Sequence, residues 1–317
     1  MKVLVTGAAG FIGSHVAERL LQRGDAVVAL DNFNDYYSPA RKRANAASVS
    51  AYPQARFVEA DIRDAAALDA LCRAEPFDRI VHVAAMANVR YSIQHPGLYI
   101  DVNLGGTRNL LEAARRHGVR HFVFASTSSV YGRTDKIPFV ESDPTDRPLA
   151  PYPATKKAGE VLLHAYHAAF GLKVRVLRLF NVYGPRGRPD MAPYNFTRRI
   201  LRGEPITVFD GGRPQRDWTY IDDTVDGMLA AIDADCGYEI FNLGRGQPVA
   251  LSELIGAIES LTGRRAIVQP GPLPDTEPMI TYADGAKAGR LLDFHPGVAL
   301  PDGLARFFDW YTANVEQ

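Results

Sequence analysis

Tyr152 and Lys156 stand four residues apart in Tyr-Pro-Ala-Thr-Lys, at the start of an apolar-periodic stretch. Residues i and i+4 share one helix face, so an ammonium can lie beside the phenol. A free tyrosine has a pKa of about 10 and is a poor base at neutral pH. A neighbouring cation favours the phenolate. Lowering that pKa by roughly 3 units takes about 4 kcal/mol of differential interaction, much of which one desolvated cation can supply. About 25 residues upstream lies a hydroxyl-rich strand end, Ser126-Thr127-Ser128-Ser129. Taken alone, Tyr152 and Lys156 could equally be two solvated side chains. A second feature sets them in context: Gly7, Gly10 and Gly13 form GxxGxxG, directly after a β-branched run and directly before a helical pattern. Glycines there let backbone N–H groups approach a pyrophosphate, and the helix N-terminus adds partial positive charge. Asp31 ends the next strand, eighteen residues beyond Gly13. A carboxylate at that place accepts from a ribose diol and repels a 2′-phosphate, so the expected cofactor is NAD rather than NADP.

The elements that must hold these residues alternate. Strands are predicted at Lys2–Thr6, Ala26–Asp31, Arg56–Glu59, Ile80–Val83, His121–Ala125 and Lys173–Leu179. Helices are predicted at Ile12–Arg23, Ala65–Glu75, Tyr99–His117 and Tyr152–Phe170. Such alternation implies an α/β fold, a Rossmann-like doubly wound parallel sheet covered by helices on both faces. After Leu179 the texture changes. Residues 181–218 and 265–282 are rich in Gly, Pro and Arg, as expected of loops that build a ligand site. The expected organisation is an NAD-binding domain at 1–180, with part of 218–243 returning to it, and a smaller α/β substrate domain at 181–317.

Composition narrows the function. The 317 residues are 46% hydrophobic and 23% charged, and Lys+Arg (36) equals Asp+Glu (36). Zero net charge gives no generic basic surface for nucleic acid or an anionic membrane. No run of about 18 uncharged apolar residues is present, so no membrane span is expected. The glycines and charges near the N-terminus read as strand, turn and helix rather than a targeting segment. Cys72 and Cys236 are too few for a disulfide framework and fit a reducing cytoplasm. His164 and His167 lack companions at metal spacing, so no metal is expected. His82, in an apolar strand, reads as a core histidine, and Asn103 as a support for the cofactor-domain backbone.

With these pieces together, the chain resembles an extended short-chain dehydrogenase/reductase of the nucleotide-sugar epimerase type. The matching segments are TGAAGFIG, Asp31, Asp61-Ile62, HVAAMA (82–87), VNLGGT (102–107), STSSVYG (126–132), YPATK (152–156), RLFNVYGPRGRPD (178–190) and RDWTYIDD (216–223). They span nearly the whole length in the family's order. The resemblance implies a tightly bound, recycled NAD held by Gly7, Gly10, Phe11, Ile12, Gly13, Asp31, Asn32, Asp61, Ile62, Ala84, Ala85, Ser126, Tyr152 and Lys156. It implies catalysis by Tyr152, Lys156 and Thr127, with Thr127 and Ser128 meeting the sugar.

The family's 4,6-dehydratases carry Thr-Asp-Glu where this chain has Thr127-Ser128-Ser129, and its decarboxylases carry Glu at the Ser129 position. Hydroxyls alone at 128 and 129 leave oxidation and re-reduction of one carbon. The segments NDYYSPARK (34–42), VRYS (89–92) and GPRGRPDM (184–191) are most similar to UDP-glucuronate 4-epimerases. That similarity implies Arg188 near the sugar carboxylate, with Arg90 and Arg186 further candidates, Arg216 on the diphosphate, Glu277 on the uridine ribose and Phe209 on uracil. Phe209 reads equally as a core aromatic. Asn181 departs from the threonine usual in that group and matches UDP-glucose epimerases. The alternatives are a UDP-glucose/UDP-galactose 4-epimerase or an epimerase of another nucleotide sugar. Further off stand a net 4-ketoreductase or dehydrogenase, and a non-catalytic NAD-binding regulator. The resemblance implies that the helices at 99–117 and 152–170 pair in a four-helix homodimer; burial of their apolar faces within the monomer is the alternative.

Overall fold

β-Branched and aliphatic runs too short for helices build most of the strands. In the computed structural model, which describes residues 1–315, these are β1 (Lys2–Thr6), β2 (Ala26–Asp31), β3 (Ala55–Glu59), β4 (Arg79–His82), β5 (His121–Thr127), β6 (Lys173–Leu179), β7 (Asn181–Tyr183), β8 (Pro205–Phe209), β9 (Gln215–Tyr220), β10 (Tyr238–Leu243), β11 (Pro248–Ala250), β12 (Ile267–Gly271) and β13 (Ile280–Thr281). Seven form one sheet in the order β10-β6-β5-β4-β1-β2-β3. From β3 to β5 the pairs run parallel. The expected α/β Rossmann-like sheet is therefore observed. Leu4, Val28, Ile80, Phe122, Phe124 and Val176 bury their side chains between sheet and helices; β1, β2, β4 and β5 accordingly carry at most one charge each, whereas β6 buries Arg175 and Arg178.

The chain winds from β1 to β2 and β3, then returns to β4 on the other side of β1. Strand order thus reverses between β1 and β4, with Thr6 opposite His82 at their C-terminal ends. A crevice beyond the strand ends at such a reversal is where open α/β sheets bind ligands.

Two of the differences from expectation involve helices. The stretch predicted as one helix over Tyr99–His117 is instead a short helix Pro96–Tyr99, a widened π turn Ile100–Gly105 and an α-helix Gly106–Arg116. The wide turn carries Asn103 inward, where its amide donates to the Met86 carbonyl (3.0 Å) and accepts from Met86 N–H (2.8 Å). Asn103 thus supports the backbone as anticipated, by two hydrogen bonds that helical periodicity does not encode. A helix at Pro39–Ser50 was not predicted. Its buried residues are only Lys42, Ala46 and Val49, so its apolar stripe is nearly silent.

The chain divides into two units. The first holds Met1–Gly132, Pro144–Arg178 and Val225–Phe241; the second holds Arg133–Asp143, Leu179–Thr224 and Asn242–Gln317. A single boundary at 180 misses the excursion 133–143. Phe139, 1% exposed, anchors that excursion in the second unit. Its N–H donates to the Tyr282 carbonyl and its own carbonyl accepts from Asp284 N–H, both at 2.9 Å. Within the second unit β9 pairs with β7, β11 and β13, β8 pairs with β12, and Tyr194, Phe307 and Tyr311 form a small aromatic core. Among the described residues no helix is long and apolar enough to cross a membrane.

Candidate active site

The glycine turn follows β1 without a spacer. Gly7 has φ +73°, and a Cβ on it would stand 2.7 Å from Ala84 N. A Cβ on Gly13 would stand 2.1 Å from the Gly7 carbonyl oxygen. Only glycine permits this approach. Gly10 precedes the helix Phe11–Gln22 and supplies no side-chain cap, so the amides around Phe11 and Ile12 face the turn uncapped by any side chain. Asp31 is buried at the end of β2. Its two oxygens accept from the N–H groups of Ala9 (3.1 Å) and Phe33 (2.9 Å). Burial pushes its carboxyl up, and the Phe33 and Ala9 amides and Lys42 pull it back. Asn32 donates to Asp61 (2.8 Å), whose carboxyl is held down at about 2, chiefly by Arg63. Ile62 is buried, and Ala84 and Ala85 follow β4, with Ala84 N–H donating to the Thr6 hydroxyl (3.3 Å). The structure therefore gathers every residue from Gly7 to Ala85 named above as a cofactor contact at the C-terminal ends of β1 to β4. A cradle that a Cβ would fill, an uncapped helix N-terminus and an acid at the end of β2 fit NAD.

The helix Pro151–Phe170 carries Tyr152, Lys156 and Glu160 at i, i+4 and i+8, one continuous face. Pro151 and Pro153 sit in its first turn, where the missing N–H groups have no helical partner to lose. Lys156 is 2% exposed, its ammonium 4.1 Å from the centre of the Phe124 ring. Burial lowers it to about 7, against the pull of Glu160. The Tyr152 ring meets Tyr99 edge-on at 6.1 Å. Its carbonyl accepts from the Thr155 hydroxyl (2.8 Å), which in turn accepts from Asn103 (3.1 Å).

Thr127 closes β5. Its oxygen accepts from Ser129 N–H (3.2 Å), a bond that does not use its own proton. Ser128 begins the short turn Ser128–Tyr131. The Ser126 hydroxyl is committed elsewhere, donating to Glu160 Oε1 at 2.6 Å, so its main chain remains for a cofactor. His82 is a core histidine: Nδ1 pairs with the Thr6 hydroxyl (2.8 Å) and Nε2 with that of Thr107 (3.0 Å).

Most expected substrate contacts lie in the second unit, and two of them meet. Arg216 donates to Glu277 at 2.9 Å. Arg188 forks Asp190, Nε to Oδ1 at 3.0 Å and Nη2 to Oδ2 at 2.5 Å. Asn181 is half-buried opposite Trp218. Phe209 ends β8 opposite Gly271, beside an open depression lined by Asp210, Gly211, Arg213 and Pro270 to Pro272. Arg90 is exposed on the helix Val89–Gln94 of the first unit.

Three residues escaped the sequence reading. Glu160 and Arg178 form an ion pair with each side chain 1% exposed. Asp217, fully buried, accepts from the N–H groups of Arg245, Gly246 and Ala283 and from Thr219. For Glu160 a signal existed, in the continuation of YxxxK to YxxxKxxxE. Asp217 had none, because its donors come from distant loops.

A model of the NAD dependent epimerase/dehydratase family matches residues 3–244. UDP-glucuronate 4-epimerase 3 of Arabidopsis thaliana is 44% identical over 327 residues, covering 98% of this chain and 76% of its own. The UDP-glucuronate 4-epimerase of Thermodesulfobacterium geofontis is 40% identical over 314 residues, covering 99% and 97%. Among solved structures, UDP-glucuronic acid 4-epimerase from Bacillus cereus, in complex with UDP-glucuronic acid and NAD, superposes with a TM-score of 0.93 at 36% identity, over 99% of each chain.

Proposed function

This chain belongs to the NAD dependent epimerase/dehydratase family, and from that premise we propose that it interconverts UDP-glucuronate and UDP-galacturonate at C4. The observation that carries the redox part of this reading is the end of β5. Thr127 offers a hydroxyl proton there, Ser128 and Ser129 offer hydroxyls only, and Glu160, the carboxylate that reaches the strand end, is forked by Arg178. An acid committed to a buried guanidinium is not free to eliminate water, so a redox cycle at one carbon remains.

NAD, held by Gly7 to Gly13, Asp31, Asn32, Asp61 and Ile62 with Ala84, Ala85, Tyr152 and Lys156 beside it, supplies the hydride acceptor and then the hydride donor. The chain's own residues handle the proton. Tyr152, as phenolate, takes it from the C4 hydroxyl and later returns it. Lys156, as ammonium, favours the phenolate. Thr127 donates to the sugar O4 and holds it as negative charge develops. Between the two transfers the 4-keto sugar turns about its diphosphate link. Arg216, Glu277 and Phe209 keep the uridine diphosphate anchored meanwhile, which stops the ketone escaping. Arg188, exchanging its fork with Asp190 for the substrate, holds the C5 carboxylate, whose two oxygens suit a guanidinium fork, with Ser128 and Arg90 beside the sugar. Holding that carboxylate out of line with the C4 ketone also guards against decarboxylation.

Asn181 supports a second reading, UDP-glucose and UDP-galactose, because an amide suits a hydroxymethyl group as well as a carboxylate. The exposed apolar residues Ile100 (51%) and Val161 (58%), on the segments expected to pair, support a homodimer. The two free cysteines are consistent with the cytoplasm as its compartment. Incubation with UDP-glucuronate, UDP-glucose and UDP-GlcNAc in turn, followed by NMR of the products, tests the assignment. UDP-galacturonate is expected. UDP-galactose without UDP-galacturonate overturns the sugar, and a UDP-pentose with CO₂ overturns the non-decarboxylating mechanism.

A further inference from the structure

Thr127 and the Tyr152–Lys156 pair reach the same sugar oxygen from different elements, β5 and the helix Pro151–Phe170. Something must set the distance between those elements. One side chain bridges them directly. The Ser126 hydroxyl, one residue before Thr127, donates to Glu160 Oε1 at 2.6 Å, and Glu160 lies one helical turn beyond Lys156. Arg178 on β6 then locks that carboxylate from behind. Its Nε donates to Oε1 at 3.1 Å and its Nη2 to Oε2 at 2.8 Å. Lys157 adds a weaker contact to Oε2 at 3.4 Å. The Arg178 guanidinium is in turn held 4.8 Å from the centre of the Tyr131 ring, in the turn that follows Thr127. The Tyr238 hydroxyl donates to the Glu160 carbonyl at 3.1 Å. Ser126, Glu160 and Arg178 are all at least 96% buried, so this is a rigid bracket rather than a surface pair.

We propose that Glu160, clamped by Arg178, is a positioning residue that sets the spacing between Thr127 and the Tyr152–Lys156 face through the Ser126 hydroxyl. The inference rests on the reading of Thr127, Tyr152 and Lys156 as the groups around the oxidised hydroxyl. It does not rest on which sugar carries that hydroxyl. Glu160 meets no reacting atom and acts only through Ser126 and its own helix. A charge-assisted acceptor forked by arginine fixes its partner better than a neutral one does. A displacement of about 1 Å at reacting groups can reduce a rate by about 10²-fold.

Removing one member of a buried ion pair threatens the fold, so the decisive variant is Ser126→Ala, which deletes only the bridging hydroxyl and leaves the pair intact. It is assayed with whichever UDP-sugar the wild-type protein turns over, so an error in the sugar assignment leaves the test standing. Bound NAD and KM are expected to stay close to wild type and the melting temperature to fall by only a few degrees, the loss of one buried hydrogen bond, while kcat falls by about 10–100-fold. Glu160→Gln, which keeps shape but loses charge, is expected to lower kcat in the same way in the fraction that folds. Ser126→Thr, which restores the donor, is expected to recover most of the rate. A Ser126→Ala protein with kcat within twofold of wild type overturns the proposal. So does one in which KM rises and NAD content falls in step with the loss of kcat, because that pattern marks a merely structural bond.

Discussion

Lys156 lets the conflict between stability and chemistry be measured. Burial lowers its pKa from 10.5 to about 7. A lysine whose folded pKa lies below its unfolded value destabilises the fold fully below the folded pKa, and the penalty disappears as pH rises towards the unfolded one. The shift of about 3.5 units corresponds to about 5 kcal/mol at pH 6. At pH 9 only about 1.5 units remain, or about 2 kcal/mol. Lys156→Met removes the charge, and an unbranched thioether can pack against Phe124 in its place. Loss of the cation–π contact with that ring returns about 1–2 kcal/mol. The variant is therefore expected to be more stable than wild type at pH 6, and to lose about 3 kcal/mol of that advantage by pH 9, while epimerisation disappears. Urea unfolding followed by circular dichroism at pH 6, 7.5 and 9, on samples matched for bound NAD, reads the difference. Other groups titrate in both proteins and cancel. A stability difference that does not change with pH, or that grows as pH rises, refutes the claim that Lys156 is held against a desolvation penalty.

Tyr152→Phe is expected to abolish turnover with bound NAD unchanged, since only the phenolic oxygen is lost; unchanged turnover removes Tyr152 as the base. Gly13→Ala places a Cβ 2.1 Å from the Gly7 carbonyl oxygen and is expected to strip NAD from the purified protein, read from its 260/280 nm absorbance ratio. Gly256→Ala, at a helical glycine with nothing within 4 Å, is the matched control and is expected to stabilise by up to about 1 kcal/mol. Arg188→Gln is expected to raise KM for UDP-glucuronate by about 10–100-fold, the loss of a charge-assisted contact of about 1.5–3 kcal/mol, and to leave KM for UDP-glucose alone. An equal effect on both sugars would show that Arg188 does not read the carboxylate.

What the amino-acid order alone makes legible is what depends on near neighbours. Strands Lys2–Thr6, Ala26–Asp31 and Lys173–Leu179 coincide with their predicted bounds. The turn from Gly7 to Gly13 and the face shared by Tyr152 and Lys156 follow from steric limits and a 3.6-residue period acting within a dozen residues. Contacts between distant segments were not legible. The Ser126–Glu160 bond spans 34 residues, and the Arg216–Glu277 pair spans 61. Asn103 bends a helix because Met86 and Thr155 are its partners, and residues 133–143 join the second unit because Phe139 finds Tyr282 and Asp284. In each case a buried polar group must be satisfied, and which donor or acceptor lies within reach is settled only when the sheet and its covering helices close around it.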